Sequence, residues 1–89
     1  MTVQMHEVDS WDDLKNAGDY MFCTRTDKPD FPIIVCPKCL KPGSCSNHTL
    51  VQRTPLTIRA SYLCNQRMPD GTGVCGWHGF ITDGVMDGQ

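Results

Sequence analysis

Apolar and polar residues alternate along much of this chain in short runs, with the period of two that marks half-buried strands. DYMFCTRT puts Tyr20 and Phe22 on one face and Met21 and Cys23 on the other. After the turn-forming DKPD, the run FPIIVC predicts a second strand that leads into Cys36. TLVQRT predicts a short strand. LTIRASYLC predicts a longer one, with Leu56, Ile58, Ala60 and Tyr62 on one face. HGFI and VM flank TDG, a hairpin signal. Residues 37–47 and QRMPDGTG are rich in Pro, Gly, Ser and Asn and read as loops. One segment breaks the strand pattern. Ser10-Trp11-Asp12-Asp13 resembles a helix N-cap with an acid in the first turn. It predicts a helix over about residues 11–17, ended by Gly18, with Trp11 and Leu14 buried. The expected fold class is small and mostly β, with one short N-terminal helix, in a single domain over 1–89. Within it, 1–30 forms an acidic arm and 31–86 a β module.

Length changes this picture. A chain of 89 residues buries only about 60–65% of its surface, so a core alone gives thin stability. Six cysteines supply the usual remedy, a metal or disulfides. The N-terminus MTVQMHEVDSWDD has neither a basic nor an apolar leader region, and no apolar run approaches the roughly 18 residues of a membrane span. The expected compartment is therefore a reducing cytoplasm, where clustered cysteines read first as metal ligands.

CPKC at Cys36 and Cys39 has the spacing at which two thiolates face one ion while loop N–H groups bond the sulfurs. Three pairs can complete a tetrahedron. Cys75 with His78 repeats the two-residue spacing. Cys64 with Cys75 gives an all-cysteine set, C-x2-C-x24-C-x10-C. Cys45 with His48 gives a very compact one. The favoured zinc ligands are Cys36, Cys39, Cys75 and His78, because both pairs then sit at strand-to-turn corners. Trp77 and Phe80 would cover the ion, and Gly76 and Gly79 would let the backbone turn around it. The module is then zinc-ribbon-like, and a second ion at the remaining residues stays open. A redox role for CPKC is disfavoured, since a Pro/Gly/Ser-rich loop comes after it and not a helix. Cys23 alternates within a strand and reads as packing; His6 reads as solvated.

Taken together, CPKC, His48, PLTIRAS and CGWHGFITDG resemble a family of small phage and prophage proteins of unknown function. Pro55, Thr57 and Ser61 match its middle segment, with Ala60 where the family pattern has Pro. His78, Phe80, Asp83 and Gly84 match its terminal motif. The resemblance covers residues 31–86. It implies a metal-binding fold with ligands drawn from Cys36, Cys39, His48, Cys75 and His78. It also implies a host cytoplasm or a virion as the setting.

Charge is unevenly spread. Residues 31–69 carry no acid and five bases, Lys38, Lys41, Arg53, Arg59 and Arg67, while both flanks are acidic. The basic segment either meets an anionic partner, nucleic acid included, or folds against the acidic arm. The whole chain has a net charge of −2, and no basic stripe forms. A site with four protein ligands is closed and serves folding, and Glu7, the single Glu, lies far from the motif. The expected function is thus a zinc-stabilised module that binds a protein partner without catalysis. The alternatives are a nucleic-acid-binding regulator and a small metalloenzyme.

Overall fold

The computed structural model describes residues 2–25, 28–45, 48–59 and 61–88. In chain order the strands are β1 (Thr2–Gln4), β2 (His6–Glu7), β3 (Asp19–Arg25), β4 (Lys28–Val35), β5 (Pro42–Ser44), β6 (Thr49–Gln52), β7 (Thr57–Arg59), β8 (Tyr62–Leu63), β9 (His78–Thr82) and β10 (Val85–Gly88). They form one sheet of order β1-β10-β9-β8, a second of order β2-β3-β4-β5, and a separate β6-β7 pair. Among the described residues, strand pairing is antiparallel except between β2 and β3. Buried Met5 joins β1 to β2, so the N-terminal segment contributes an edge strand to each large sheet.

The run FPIIVC is continuously apolar because β4 is covered on both faces. Ile34 and Cys36 enter the principal core with Tyr20, Leu56, Ile81 and Met86. Phe31, Ile33 and Val35 enter a second cluster closed by Leu14. β3 alternates as its pattern predicts. Phe22 packs on the principal core beside Tyr20, while Met21 and Cys23 pack on the second cluster.

The N-terminal helix is not formed. A single 3-10 turn spans Trp11–Asp13, and Trp11 is exposed while Leu14 is buried. The cause is local. The buried Asp19 carboxylate accepts the N–H groups of Lys15 (3.2 Å) and Asn16 (2.8 Å), which a longer helix would have bonded to carbonyls one turn back. Ser10 gives its hydroxyl to Asp13 (3.1 Å) and makes no cap to the backbone.

Two further expectations are modified. The predicted strand over 56–64 is divided into β7 and β8, and Ala60 lies outside the described residues. Leu56, Ile58 and Tyr62 are nonetheless all buried, as their parity requires. The predicted loop over 37–47 contains β5, an edge strand on β4, where Pro42 is tolerated. Residues 28–30 of the DKPD expected as a turn belong to β4, while Asp27, and Ser46 and Asn47 of the 37–47 loop, lie outside the described residues.

The TDG hairpin forms as expected. Asp83 (φ 51°) and Gly84 (φ 76°) are both left-handed, the pattern of a two-residue type I′ turn. Its tip is pinned from two sides. Gly84 N donates to the Leu56 carbonyl (2.8 Å), and Met5 N donates to the Gly84 carbonyl (2.9 Å). Among the described residues, no helix is long and apolar enough to cross a membrane.

Candidate metal centre

Each large sheet brings two cysteines to one point. Cys36 directly follows β4, and the chain reverses at once. Leu40 N donates to the Cys36 carbonyl (3.0 Å), and Cys36 N donates to the Lys41 carbonyl (3.1 Å), which sets Cys39 beside Cys36. Leu40 takes a left-handed φ of 60° to complete the turn. The second pair is brought together by strand pairing. Beyond the Leu63–His78 pair of β8 and β9, the ladder continues. Cys64 N donates to the Trp77 carbonyl (2.8 Å), Gly76 N to the Cys64 carbonyl (3.0 Å), and Cys75 N to the Gln66 carbonyl (2.7 Å). Cys64 and Cys75, on opposite sides of this ladder, therefore stand side by side.

The resulting cluster is Cys36, Cys39, Cys64 and Cys75, all buried, with sulfurs within 4.8 Å of one another. Cys36 Sγ lies 3.6 Å from Cys75 Sγ, and Cys39 Sγ lies 3.6 Å from Cys64 Sγ. Metal–sulfur bonds of about 2.3 Å give a tetrahedron with edges of about 3.8 Å. The cluster thus has the size of a four-thiolate metal site. All six cysteines are free thiols.

Backbone donors aim at the sulfurs. Lys38 N lies 3.4 Å from Cys36 Sγ, and Cys39 N–H bonds the same sulfur. Gln66 N–H bonds Cys64, and Trp77 N–H bonds Cys75. Burial pushes the Cys36 thiol up, and it pushes Cys64 well above the ordinary thiol range. Burial also acts upward on Cys75, but the Trp77 N–H and the neighbouring thiols outweigh it and hold that thiol below its usual value. Four thiolates this close repel one another, and a cation among them removes the conflict. Lys38 adds positive charge nearby, its Nζ donating to the Cys75 carbonyl (3.1 Å).

Three of the four residues expected as ligands, Cys36, Cys39 and Cys75, are in the cluster; His78 is not, and Cys64 stands in its place. Strand parity explains this. Trp77 and Ile81 point into the core, so His78 and Phe80 point outward. His78 Nε2 lies 2.7 Å from Ser61 Oγ, and its ring is 6.1 Å from that of Phe80. Phe80 is 61% exposed and covers no part of the cluster, whereas Trp77 is buried beside it, as expected. Gly79 does not bend the chain around the site. It pairs with Gly88, and together they make a flat seat for the indole. A Cβ at Gly79 would lie 2.7 Å from Trp77, and one at Gly88 would overlap it.

The remaining candidates lie outside the cluster. His48 Nε2 donates to the Ser61 carbonyl (2.9 Å), and its buried Nδ1 has no partner among the described residues. Cys45 is buried, and its thiol is pushed up to about 12 by that burial. Cys23 packs on the second hydrophobic cluster, and His6 is exposed on β2. The basic residues are dispersed. Arg53 pairs with Asp30 (2.9 Å) and stacks over Phe22 (3.9 Å), so the basic middle does meet the acidic arm there. Arg59 lines a cleft between β7 and β9.

Comparisons with protein-family models, with curated proteins and with solved structures found no match to this chain.

Proposed function

We propose that this chain is a zinc-stabilised, zinc-ribbon-like binding module whose ion holds the fold together and takes no part in catalysis. The observation that supports this reading is the buried set of four thiols. A tetrahedral ion held by Cys36, Cys39, Cys64 and Cys75 has no position left for water or substrate. Four thiolates suit zinc, and iron is the competing occupant of such a set. The cluster joins the β4–β5 corner of one sheet to the β8–β9 end of the other, so the ion cross-links the two halves of the molecule.

The test is metal analysis of the protein as purified, followed by cobalt substitution. One zinc per chain and a tetrahedral, thiolate-rich cobalt spectrum are expected. A five-coordinate spectrum, or one that shifts when small anions are added, would show an open site and favour the metalloenzyme reading. A red protein containing iron would replace zinc.

The partner we propose is a protein, in a reducing compartment such as a phage-infected host cytoplasm, a setting that rests on the residue resemblance alone. Two of the five bases of the middle segment already have internal partners, Lys38 on the Cys75 carbonyl and Arg53 on Asp30. This weakens the case for a nucleic-acid partner, which needs free cations to displace counterions. A salt-dependent mobility shift with duplex or single-stranded DNA would reverse that preference.

A further inference from the structure

Away from the metal centre, a cleft of about 590 Å³ opens between β7 and β9. Its lining is Thr57, Ile58, Arg59, Ser61, Phe80 and Thr82. Ile58 is buried at its base and Phe80 stands exposed at its rim. The register continues the apolar surface beyond it. Leu63 lies opposite His78, and His78 lies two residues from Phe80 on the same outward face, so an exposed stripe of His78 and Leu63 leads away from Phe80.

The polar groups around the cleft are held in place. His78 fixes the Ser61 hydroxyl at 2.7 Å. Thr57 Oγ1 accepts the Asp83 N–H (2.9 Å), which leaves the Thr57 hydroxyl proton to donate elsewhere. Among the described residues, the lining holds one charged residue, Arg59, and no carboxylate. On the far side of Phe80, Asp87 stands directly across from it on β10. The platform therefore lies between a cation and an anion. A polyanion gains one charge contact at Arg59 and meets repulsion at Asp87. A chain with a single carboxylate next to an apolar side chain meets no such conflict. Its ring or aliphatic group covers Phe80, and its carboxylate reaches the guanidinium fork and the hydroxyls.

We propose that this cleft is the partner-docking site, and that it takes a peptide segment presenting an aromatic or large aliphatic side chain beside an acidic one. This deepens the binding-module reading and rests on it, but does not depend on which metal fills the cluster.

The test is amide-resonance titration of the full, metal-loaded chain with three probes. They are N-acetyl-tryptophanyl-glutamate amide, its glutamine analogue, and a short oligothymidylate. The glutamate peptide is expected to give saturable shifts confined to residues 57–59, 61 and 78–82. The glutamine analogue is expected to bind about 5–10-fold more weakly, the exchange of one charge-assisted contact for a neutral one. R59Q is expected to abolish that discrimination with metal content and spectral dispersion unchanged, and F80A to weaken both peptides. Both side chains are exposed, so both variants are expected to fold; if F80A does not, R59Q alone decides. Equal affinity for the two peptides, or no saturable shift at millimolar probe, would overturn the proposal. Shifts confined to another face would overturn the location while leaving the binding module standing. Saturation of these same residues by oligothymidylate would overturn the peptide assignment and with it the protein-partner reading.

Discussion

The two halves of the cysteine cluster are built by different means. Cys36 and Cys39 are made neighbours by a tight turn, closed by the Cys36–Lys41 and Leu40–Cys36 hydrogen bonds. Cys64 and Cys75 are made neighbours by a ladder that begins at the Tyr62–Gly79 pair and runs outward through Cys64, Trp77, Gly76 and Gln66. The first half is a property of spacing. The second is a property of register, and it exists only while β8 and β9 are paired. In the second half the metal site and the fold are one structure, so breaking either breaks both.

The largest effect expected is therefore at Cys64. Cys64→Ala leaves three thiolates and an open fourth position, with His78 on the wrong face to fill it. A zinc held as proposed at this site would contribute about 10–16 kcal/mol of apparent binding energy, more than a domain of this size has to spare. Loss of bound metal and of the cooperative unfolding transition is expected, and chelation of the native protein should do the same. Metal analysis with circular dichroism checks both. If Cys64→Ala keeps full metal content while His78→Ala loses it, the ladder-built half of the cluster is wrong.

The asymmetry between the halves also explains what is legible in the sequence. The CPKC pair is legible because turn and spacing are local. The strand 19–25 is legible because Tyr20 and Phe22 alternate with Met21 and Cys23, and the β9–β10 hairpin because Asp83-Gly84 permits a left-handed turn. The choice between His78 and Cys64 requires the parity of β9. That parity depends on Trp77 facing inward, and an exposed Phe80 two residues after a His looks from sequence alone like a lid. A signal is nonetheless present. Tyr62 and Cys64 share a parity, and the alternation of LTIRASYLC puts Tyr62 in the core. The N-terminal helix is not decided by its own residues, because its competitor, the Asp19 carboxylate, lies beyond the helical window and acts through a turn.

A smaller break is expected where the ladder seats the indole. Gly88→Ala forces Trp77 off the Gly79–Gly88 seat without touching a ligand. Overpacking of this kind costs about 1–3 kcal/mol. The expected result is a lowered melting temperature with metal still bound, which separates strain in the ladder from loss of the site. Unchanged melting would mean that Trp77 packs elsewhere.

Cys45 is the control for burial without a partner cluster. Its thiol is raised from 9.0 to about 12 by desolvation, so the fold favours the protonated form. A raised value contributes stability that is complete below the ordinary thiol value and is lost as pH rises through the folded one. Between pH 9 and 12 the denaturation midpoint of the metal-loaded protein should fall more steeply in wild type than in Cys45→Ala. Parallel slopes would show that this thiol reaches water.

The smallest effect sharpens the comparison most. His78 sits three residues after Cys75, at the spacing that makes Cys36 and Cys39 a pair, yet it binds the Ser61 hydroxyl on the outer face. The difference lies in the path the chain takes beyond each first cysteine. After Cys36 the chain reverses within a turn, and the residue three positions on comes back to the same point. After Cys75 it enters β9, where every second side chain points away, so that Trp77 takes the inward position and His78 cannot. His78→Ala should therefore leave the metal content and the cobalt spectrum unchanged and move stability by no more than about 0.5 kcal/mol, the range of surface substitutions. A spectrum that loses a nitrogen ligand in this variant would mean that β9 begins later than the Leu63–His78 pair, and that the chain after Cys75 turns as the chain after Cys36 does.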